Sequence, residues 1–357
     1  MKIALVTGSR SDRNALAMVE KALAADGYDV WCLPIGLDPS ASNYEAAVVA
    51  SESIRMVASH FNSRRTYMVV LHGDRHEILG AAVAANVMGV PIAHLGGGDL
   101  TEGSQDDCFR HAITKLSHLH FPTNQDAADR IVQMGEDPSC VHMVGDPGID
   151  MVIATPTLDR SETFAAVGLA TPARCLLVLF HPNTMYDPAS ELEALSDALE
   201  RCDEAVVFIG PNADVGSDLI RKEWRRLAAD HQNTVYHDNL PPKMFYSLMK
   251  WCDVMVGNSS AAFYEAPCFG IRVINVGDRQ QGRLIPQTVE TWPAKADAIA
   301  FGIRRALELA KIENKIRVPN DYGDGYAAER IVKVIGGITE PKSLLRKRFH
   351  HVGSPHQ

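Results

Sequence analysis

Residues 67–115 read YMVVLHGDRHEILGAAVAANVMGVPIAHLGGGDLTEGSQDDCFRHAITK, and this stretch decides the fold. An apolar strand ends in HGDR at residues 72–75, and the next apolar run ends in HLGGGD at residues 94–99. A further acidic pair opens the helix that follows. The carboxyl ends of neighbouring parallel strands meet at one edge of a sheet. Four side chains should therefore lie close together: Asp74, His94, Asp99 and Asp106.

Clustered acids at such an edge are candidates for proton transfer. A single Asp at a strand-to-helix turn is more often an N-cap that accepts hydrogen bonds from the helix backbone. Several carboxylates in a partly dry site repel one another, so at least one pKa rises, and an acid and a base then coexist. We take Asp74, Asp99 and Asp106 as catalytic candidates.

Composition narrows the class of protein. At 357 residues the chain suits two domains, and 46% hydrophobic with 22% charged residues is typical of a globular protein. A net charge of −9 with dispersed arginines argues against nucleic acid as a partner. The seven cysteines form no CxxC pair, which favours reduced thiols over zinc. The sequence shows neither a leader nor a membrane-spanning run, so we expect a cytoplasmic protein without a membrane partner.

Alternating strands and helices predict the fold class, which is α/β with two Rossmann-like doubly wound domains facing across a cleft. Residues 1–172 form the predicted N-terminal domain with the catalytic acids, and residues 173–357 form the nucleotide-binding domain. A polar linker is expected from Ala154 to Pro172, and the last helix could pack back on the N-terminal domain. The tail from Pro341 reads as a frayed end.

The second domain carries motifs suited to a diphosphate. The run Gly257-Asn258-Ser259-Ser260 follows a strand and opens a helix, which offers free N–H groups and hydroxyls to a phosphate. Glu265 lies further along and can reach a ribose. The loop at residues 277–283 holds Arg279 and Arg283, which can clamp a diphosphate.

Two further residues occupy matching positions at strand ends. His181 follows the first strand of the second domain, where an imidazole is either structural or catalytic. Arg10 follows the first strand of the chain, where a guanidinium is either solvated or bound to phosphate. Gly8 alone is no dinucleotide fingerprint.

Together these motifs resemble the hydrolysing UDP-N-acetylglucosamine 2-epimerases, a family of glycosyltransferase-B-like architecture. The resemblance runs in order from Thr7 to about Arg283. The motifs that carry it are HGDR, GGD, DDCFRHAITKL, HP, GNSS and GxRQxGR. It implies conversion of UDP-N-acetylglucosamine and water to N-acetylmannosamine and UDP, through elimination to a 2-acetamidoglucal and hydration. It implies a nucleotide-sugar substrate and no metal or other cofactor.

The resemblance also assigns residues. Asp74 and Asp106 match the family's catalytic acids. The positions that match its nucleotide-sugar contacts are Arg10, His181, Ser259, Ser260, Glu265, Arg279 and Arg283.

The sequence departs from that family at two places. Gly96 stands where some members have Glu, and Asp99 or Glu102 are the candidates to replace that carboxylate. The turn at Asp12-Arg13 differs from the family's aromatic-containing loop.

Several alternatives stay open at this point. The enzyme could act on another nucleotide-linked 2-acetamido sugar, such as a 2,4-diacetamido sugar. It could keep UDP on the product as a non-hydrolysing epimerase, or it could be a catalytically inactive nucleotide-sugar sensor. We expect a homodimer or a dimer of dimers that serves a sialic-acid-like pathway.

Overall fold

The chain forms two compact units. The structure is a computed structural model that describes residues 1–8, 10–35, 43–102, 104–183, 188–212, 214, 216–312, 315 and 319–353; of residues 10, 11, 43 and 312 it describes the backbone only. One unit comprises Met1–Leu100, Gln105–Met151 and Tyr322–Gln357, and the other comprises Thr101–Ser104 and Val152–Asp321. No helix within these described ranges is long and apolar enough to cross a membrane.

The first unit is built on a five-stranded parallel sheet with strand order β2-β1-β3-β4-β5. The strands are β1 (Lys2–Thr7), β2 (Asp29–Pro34), β3 (Met68–His72), β4 (Ile92–Leu95) and β5 (Leu119–Phe121). The helices that begin in this unit's segments are α1 (Arg10–Ala25), α2 (Asn43–Ser63), α3 (His76–Val87), α4 (Asp106–Leu116), α5 (Gln125–Gln133), α6 (Pro147–Ala154) and, near the end of the chain, α14 (Ala327–Gly336).

Both faces of this sheet are covered, which explains why its central strands β1 and β3 are mostly apolar and buried. Successive residues of a strand point to opposite faces. Ala4 and Val6 pack in a cluster with residues of α2, α3 and α4. Ile3 and Leu5 pack on the other face with α1 and with Ile331 of α14. The last helix is therefore part of the first unit's core.

The second unit contains a six-stranded parallel sheet with strand order β11-β10-β9-β6-β7-β8. The strands are β6 (Cys175–Leu179), β7 (Ala205–Ile209), β8 (Thr234–His237), β9 (Val254–Gly257), β10 (Arg272–Val276) and β11 (Val289–Trp292). The helices are α7 (Arg160–Ala166), α8 (Ala189–Leu199), α9 (Ser217–Asp230), α10 (Pro242–Trp251), α11 (Ala261–Tyr264), α12 (Ala266–Phe269) and α13 (Ala296–Ile312). One core cluster joins β6, β7, β9 and β10 to α8, α9 and α13. Trp224 is fully buried there and stacks on Phe208 with ring centroids 4.6 Å apart.

The predicted class of two parallel-sheet α/β domains is confirmed, and several local predictions differ from the structure. The apolar run from Val141 to Val144 is typical of a strand, but it forms a single bridge, Val141 to His120, because Pro122 opposite it has no N–H to continue the ladder. The sequence from Ala261 to Phe269 reads as one helix, but it divides into α11 and α12, since Pro267 lacks the N–H that a continuous helix needs. Strand β11 escaped prediction.

The predicted boundary at residues 172 and 173 can be set beside the observed units. The segment from Ala154 to Pro172 contains α7, which packs with α10 of the second unit. The indole N–H of Trp251 donates to the Leu158 carbonyl at 2.9 Å. The Leu158 N–H donates to the Ser247 hydroxyl at 2.9 Å. These contacts place this segment in the second unit, whose long stretch starts at Val152.

The tail was expected to fray, and that prediction is wrong for the described residues up to 353. A 3-10 helix spans Pro341–Leu345. Lys347 then reaches the buried carboxylate of Glu136 at 2.7 Å, which also contacts Lys115 at 2.6 Å and His120 at 3.0 Å. Burial alone would raise the pKa of Glu136, but the hydrogen bonds from His120, Lys115 and Lys347 lower it to about 2. One carboxylate therefore ties the tail to β5 and α4.

Replacing Glu136 with Gln should destabilise the first unit by about 2 kcal/mol, because two ammonium groups lose their counter-charge. The folded-state pKa of Glu136 lies below its ordinary 4.5, so its contribution is present above pH 4.5 and is lost as the pH falls toward 2. Urea unfolding at several pH values should show that this acid-dependent loss is smaller in the variant. Glu340→Gln, at an exposed position, is the control. If the free energy of unfolding falls equally with decreasing pH in wild type and in Glu136→Gln, the assignment is contradicted.

Candidate active site

The candidate residues of the first unit lie at the switch point of its sheet. Strand β1 lies between β2 and β3. The connection that leaves β1 runs toward one edge of the sheet, and the connection that leaves β3 runs toward the other. Ligands of doubly wound sheets bind outside the carboxyl ends of the strands at such a point. Gly8 follows β1, and the HGDR motif at residues 72–75 begins at the last residue of β3. The local topology therefore presents these turns where a substrate is expected.

A buried guanidinium organises the acids of this edge. Arg110, on α4, has only 3% of its side chain exposed and forms an ion pair with Asp74. It also donates to the Asp107 carboxylate at 3.1 Å and to the Asp99 carbonyl at 2.9 Å. Charge-assisted contacts of this kind fix geometry as well as charge. Arg110 thus holds the turns after β3 and β4 against the start of α4.

His94 is a structural histidine in this arrangement. Burial lowers its pKa to about 3, so the ring is neutral at pH 7. Its Nε2–H donates to the Gly73 carbonyl at 2.9 Å, and its Nδ1 accepts from the Thr114 hydroxyl at 3.2 Å. Both nitrogens are engaged, and the ring fixes the backbone immediately before Asp74. His94 lies close to Asp74, because it binds the carbonyl of Gly73, the residue before Asp74.

Asp99 is buried among hydrogen-bond donors of the next loop. Its oxygens accept from the Thr123 hydroxyl at 3.1 and 3.2 Å and from the Asn124 amide at 3.3 Å. Asn124 in turn caps α5 by accepting from the Ala127 N–H. The preceding Gly98 has φ of +81°, and a Cβ there would stand 2.3 Å from the Ala127 carbonyl oxygen. The carboxylate therefore orders a tightly packed loop.

Gly96 has a backbone that suits glycine. Its φ is +72°, and no described heavy atom lies within 4 Å of where a Cβ would stand. Space is present, but an L-residue there would adopt the left-handed conformation at a cost of about 1–2 kcal/mol. A carboxylate at this position would thus strain the turn.

The remaining first-unit candidates are placed as follows. Asp106 is the first residue of α4 and is partly buried. Glu102 is exposed, and its N–H donates to the Gln281 carbonyl at 3.0 Å within the second unit. Arg10 begins α1, but its side chain lies outside the described part of the structure.

Three titratable groups at this edge were missed as site residues. Asp12 is buried in the first turn of α1; it accepts from the Gly8 N–H at 3.2 Å and pairs with His72 Nδ1 at 3.1 Å. Burial would lower the pKa of His72, but the hydrogen bond and charge of Asp12 and the charges of Asp146 and Asp74 raise it overall. Burial raises the pKa of Asp146. HGDR and the GDPGID run at residues 145–150 were the available sequence signals.

In the second unit, β6 and β9 are the strands at the switch point, and their ends are bonded together. Asn258 is fully buried. Its amide oxygen accepts from the His181 N–H at 2.7 Å, and its amide nitrogen donates to the His181 carbonyl at 2.9 Å. Gly257 makes this approach possible, since a Cβ there would stand 1.9 Å from the Leu179 carbonyl oxygen.

His181 is neutral and oriented. Burial lowers its pKa to about 3, and the charge of Arg279 adds to this effect. Its Nδ1 accepts from the Asn212 N–H at 3.0 Å, so the proton sits on Nε2. The ring can donate a hydrogen bond through Nε2 but carries no charge at pH 7.

The arginine-bearing loop after β10 packs against the same turn. Arg279 and Gln280 donate to the Asn258 carbonyl at 3.3 and 2.8 Å. Arg283 donates to the Tyr264 hydroxyl at 2.6 Å, with its guanidinium 5.2 Å from that ring's centroid. The structure thus brings Arg279 to the end of β9 and Arg283 to the end of α11.

The serines precede α11, and Glu265 follows it. Ser259 is buried, and its hydroxyl accepts from the Ala261 N–H at 3.3 Å, whereas Ser260 is exposed. Glu265 is partly buried at the junction of α11 and α12. Because α11 has only four residues, its dipole adds little to anion binding. Arginines and hydroxyls are the groups of this edge whose chemistry suits a phosphate.

Comparison with known proteins assigns the chain to a family. The family model described as UDP-N-acetylglucosamine 2-epimerase matches residues 2–336. The chain belongs to this family.

Two relatives show how broad the UDP-N-acetylglucosamine 2-epimerase family is in substrate. The UDP-N,N'-diacetylbacillosamine 2-epimerase (hydrolyzing) of Legionella pneumophila is 33% identical over 80% of this chain and 75% of its own length. The UDP-N-acetylglucosamine 2-epimerase of Neisseria meningitidis serogroup B is 32% identical over 79% of this chain and 74% of its own length. The chain is similar to both kinds of enzyme.

A solved structure of the family confirms the fold. The UDP-GlcNAc 2-epimerase from Neisseria meningitidis, solved bound to UDP-GlcNAc, has a TM-score of 0.80 and 17% identity, covering 94% of this chain and 99% of that one. Its likeness shows the architecture of two α/β domains, which is the glycosyltransferase-B-like class predicted from the sequence.

Arg110→Met should destabilise the first unit by about 3 kcal/mol, because the Asp74 and Asp107 carboxylates would lose a buried partner. Arg55→Met is the matched control in the same unit, since Arg55 is exposed and pairs with Glu52 on the helix surface. That variant should lose less than about 1 kcal/mol. Urea unfolding of both variants measures the difference, and equal losses would count against Arg110 as the organising residue.

Proposed function

We propose that the protein is a hydrolysing nucleotide-sugar 2-epimerase, which converts UDP-N-acetylglucosamine and water to N-acetylmannosamine and UDP. The observation that most supports this is the Asp74 carboxylate, placed after β3 at the switch point by the buried Arg110. A positioned carboxylate is the group needed to take a proton from sugar carbon. The hydrolysing name of the Legionella relative supports release of UDP.

The proposed reaction has two steps. In the elimination, Asp74 takes the C2 proton while the electrons of that bond form the C1–C2 double bond and the C1–O bond to UDP breaks. In the hydration, water supplies OH to C1 and a proton is added to C2 on the opposite face. Elimination leaves negative charge on the departing diphosphate, which cationic side chains stabilise.

Residue roles in the proposal follow from the described contacts. Asp106, on the first turn of α4, is the second acid. Asp99 already accepts hydrogen bonds from Thr123 and Asn124, so we propose that it orders its loop. We propose that Glu102 is not the catalytic base either.

The nucleotide contacts in the proposal are the residues that the family resemblance assigns. Arg279, Arg283 and Arg10 are its diphosphate ligands. His181 donates a hydrogen bond through Nε2. Ser259, Ser260 and Glu265 complete the proposed nucleotide contacts.

A 2,4-diacetamido sugar linked to UDP is the second candidate substrate. The specific observation in its favour is the 33% identity with the Legionella enzyme that bears diacetylbacillosamine in its name. We further propose a cytoplasmic homodimer, or a dimer of dimers, whose product enters a sialic-acid-like pathway.

The test is incubation with UDP-N-acetylglucosamine, the UDP-linked 2,4-diacetamido sugar and the GDP-linked analogue, each in heavy water. We expect one UDP sugar to give free UDP and a free 2-epimer with deuterium at C2, read by mass spectrometry. Asp74→Asn and Asp106→Asn should lose turnover by about 100-fold or more. Both should still bind UDP in calorimetry, whereas Arg279→Ala should bind it more weakly.

Other outcomes identify the alternatives. Deuterium at C2 on a product that keeps its UDP would indicate a non-hydrolysing epimerase. Free nucleotide without deuterium would indicate plain hydrolysis. UDP binding without release from any sugar at high protein concentration would indicate a sensor.

A further inference from the structure

We propose that His72, positioned by Asp12, is the general acid that delivers the proton to C2 in the hydration step. This inference rests on the proposed function and adds a residue pair to it. Asp12 is a positioning residue, because it acts through His72.

The placement of the pair at the switch point carries the inference. Asp12 lies after β1, and His72 is the last residue of β3. Strands β1 and β3 are adjacent, with Val6 opposite Leu71. The pair therefore lies where doubly wound sheets bind their ligands. Asp74, the proposed base, is two residues from His72.

The Asp12 side chain is more deeply buried than that of His72. Asp12 has 6% of its side chain exposed and His72 has 18%. The carboxylate also accepts from the Gly8 N–H, so its position is fixed from behind. Since Nδ1 faces Asp12, Nε2 on the other side of the ring is the nitrogen that can exchange a proton with a substrate. A carboxylate behind an imidazole sets both its orientation and its tautomer.

The neighbouring His94 shows what a structural histidine looks like at this edge. It is fully buried, it is neutral, and its two nitrogens are used by Gly73 and Thr114. His72 has 18% of its side chain exposed, its Nδ1 is held by Asp12, and its pKa is raised where that of His94 is lowered. The groups that face it are Asp12 from α1, Asp74 from the turn after β3, Asp146 from the turn before α6, and the neutral His94 from β4. Three carboxylates around one imidazole favour its protonated form, and its raised pKa agrees with this.

The pair completes the proton balance of the reaction. Asp74 takes the C2 proton during elimination and returns it to solvent. The His72 imidazolium then gives its proton to C2 of the glucal from the other face, water adds to C1, and the proton lost by that water restores the imidazolium. Groups whose environments favour opposite protonation states divide acid and base roles in this way.

Asp12 also gives a purpose to a departure from the family. The Asp12-Arg13 turn differs from the family's aromatic-containing loop, and in this structure the Asp12 carboxylate pairs with His72. This chain also has Gly96 where some members carry Glu. His72, a proton donor at the end of β3, would supply acid–base capacity at an edge that lacks that carboxylate.

The test follows both halves of the reaction in His72→Gln, Asp12→Asn and Asp12→Glu, using the UDP sugar that the wild-type protein turns over. In His72→Gln we expect UDP release to continue while 2-acetamidoglucal accumulates, with free 2-epimer formed about 100-fold more slowly. With added glucal and UDP, the wild type should hydrate the glucal and His72→Gln should not. His60→Gln, on an exposed histidine of α2, is the matched control.

Asp12→Asn provides a readout that a purely structural role would not move. Hydration needs protonated His72, so its rate falls as the pH rises through the His72 pKa. Loss of the Asp12 charge lowers that pKa, so the fall should occur at lower pH in Asp12→Asn, and Asp12→Glu should restore it in part. Folding of each variant is checked by thermal unfolding, and NMR titration of His72 reports the same shift without turnover.

Three results would overturn the assignment: a His72→Gln variant that hydrates glucal at the wild-type rate, a folded variant that loses elimination together with hydration, or an unshifted pH profile in Asp12→Asn. If the wild-type protein releases no UDP from any sugar, the proposed function itself fails. Failure of the His72 assignment is distinguishable from this, because it appears only in the variants of an active wild type.

Discussion

The buried guanidinium of Arg110 is the constraint on which the first unit's functional edge depends. A charged group in the interior is stable only when acceptors surround it, and here these are the Asp74 and Asp107 carboxylates and the Asp99 carbonyl. Meeting that requirement fixes two strand-end turns and one helix start at once. His94 adds a neutral hydrogen-bond link to the Gly73 carbonyl, so the backbone on the other side of Asp74 is fixed as well.

The second unit achieves a similar rigidity around a buried amide, that of Asn258. Asn258 bonds both backbone groups of His181, and the carbonyl of Asn258 accepts from Arg279 and Gln280. The ends of β6, β9 and β10 are thereby held together. Arg279 also contributes to keeping His181 neutral. In both units a histidine with a pKa near 3 serves geometry, whereas His72 alone among these three has a raised pKa.

Much of this could be read from the sequence because parallel sheets leave a strong local signal. Apolar runs that end in polar turns identified the edges at Asp74 and Asn258. What escaped depends on contacts that are distant in sequence. The Lys347 contact with Glu136 spans over two hundred residues, and the Leu158 contact with Trp251 spans about ninety. Asp12 was noticed only as a departure from the family, because nothing local shows that it faces His72.

The most direct measurement follows the oxygen that leaves with the nucleotide when turnover takes place in ¹⁸O-labelled water. Acids acting on the sugar ring break the C1–O bond, so the bridging oxygen stays with UDP and mass spectrometry should find no ¹⁸O in the released UDP. Label in the β-phosphate of UDP would mean that water attacks phosphorus, and it would contradict an elimination driven by Asp74.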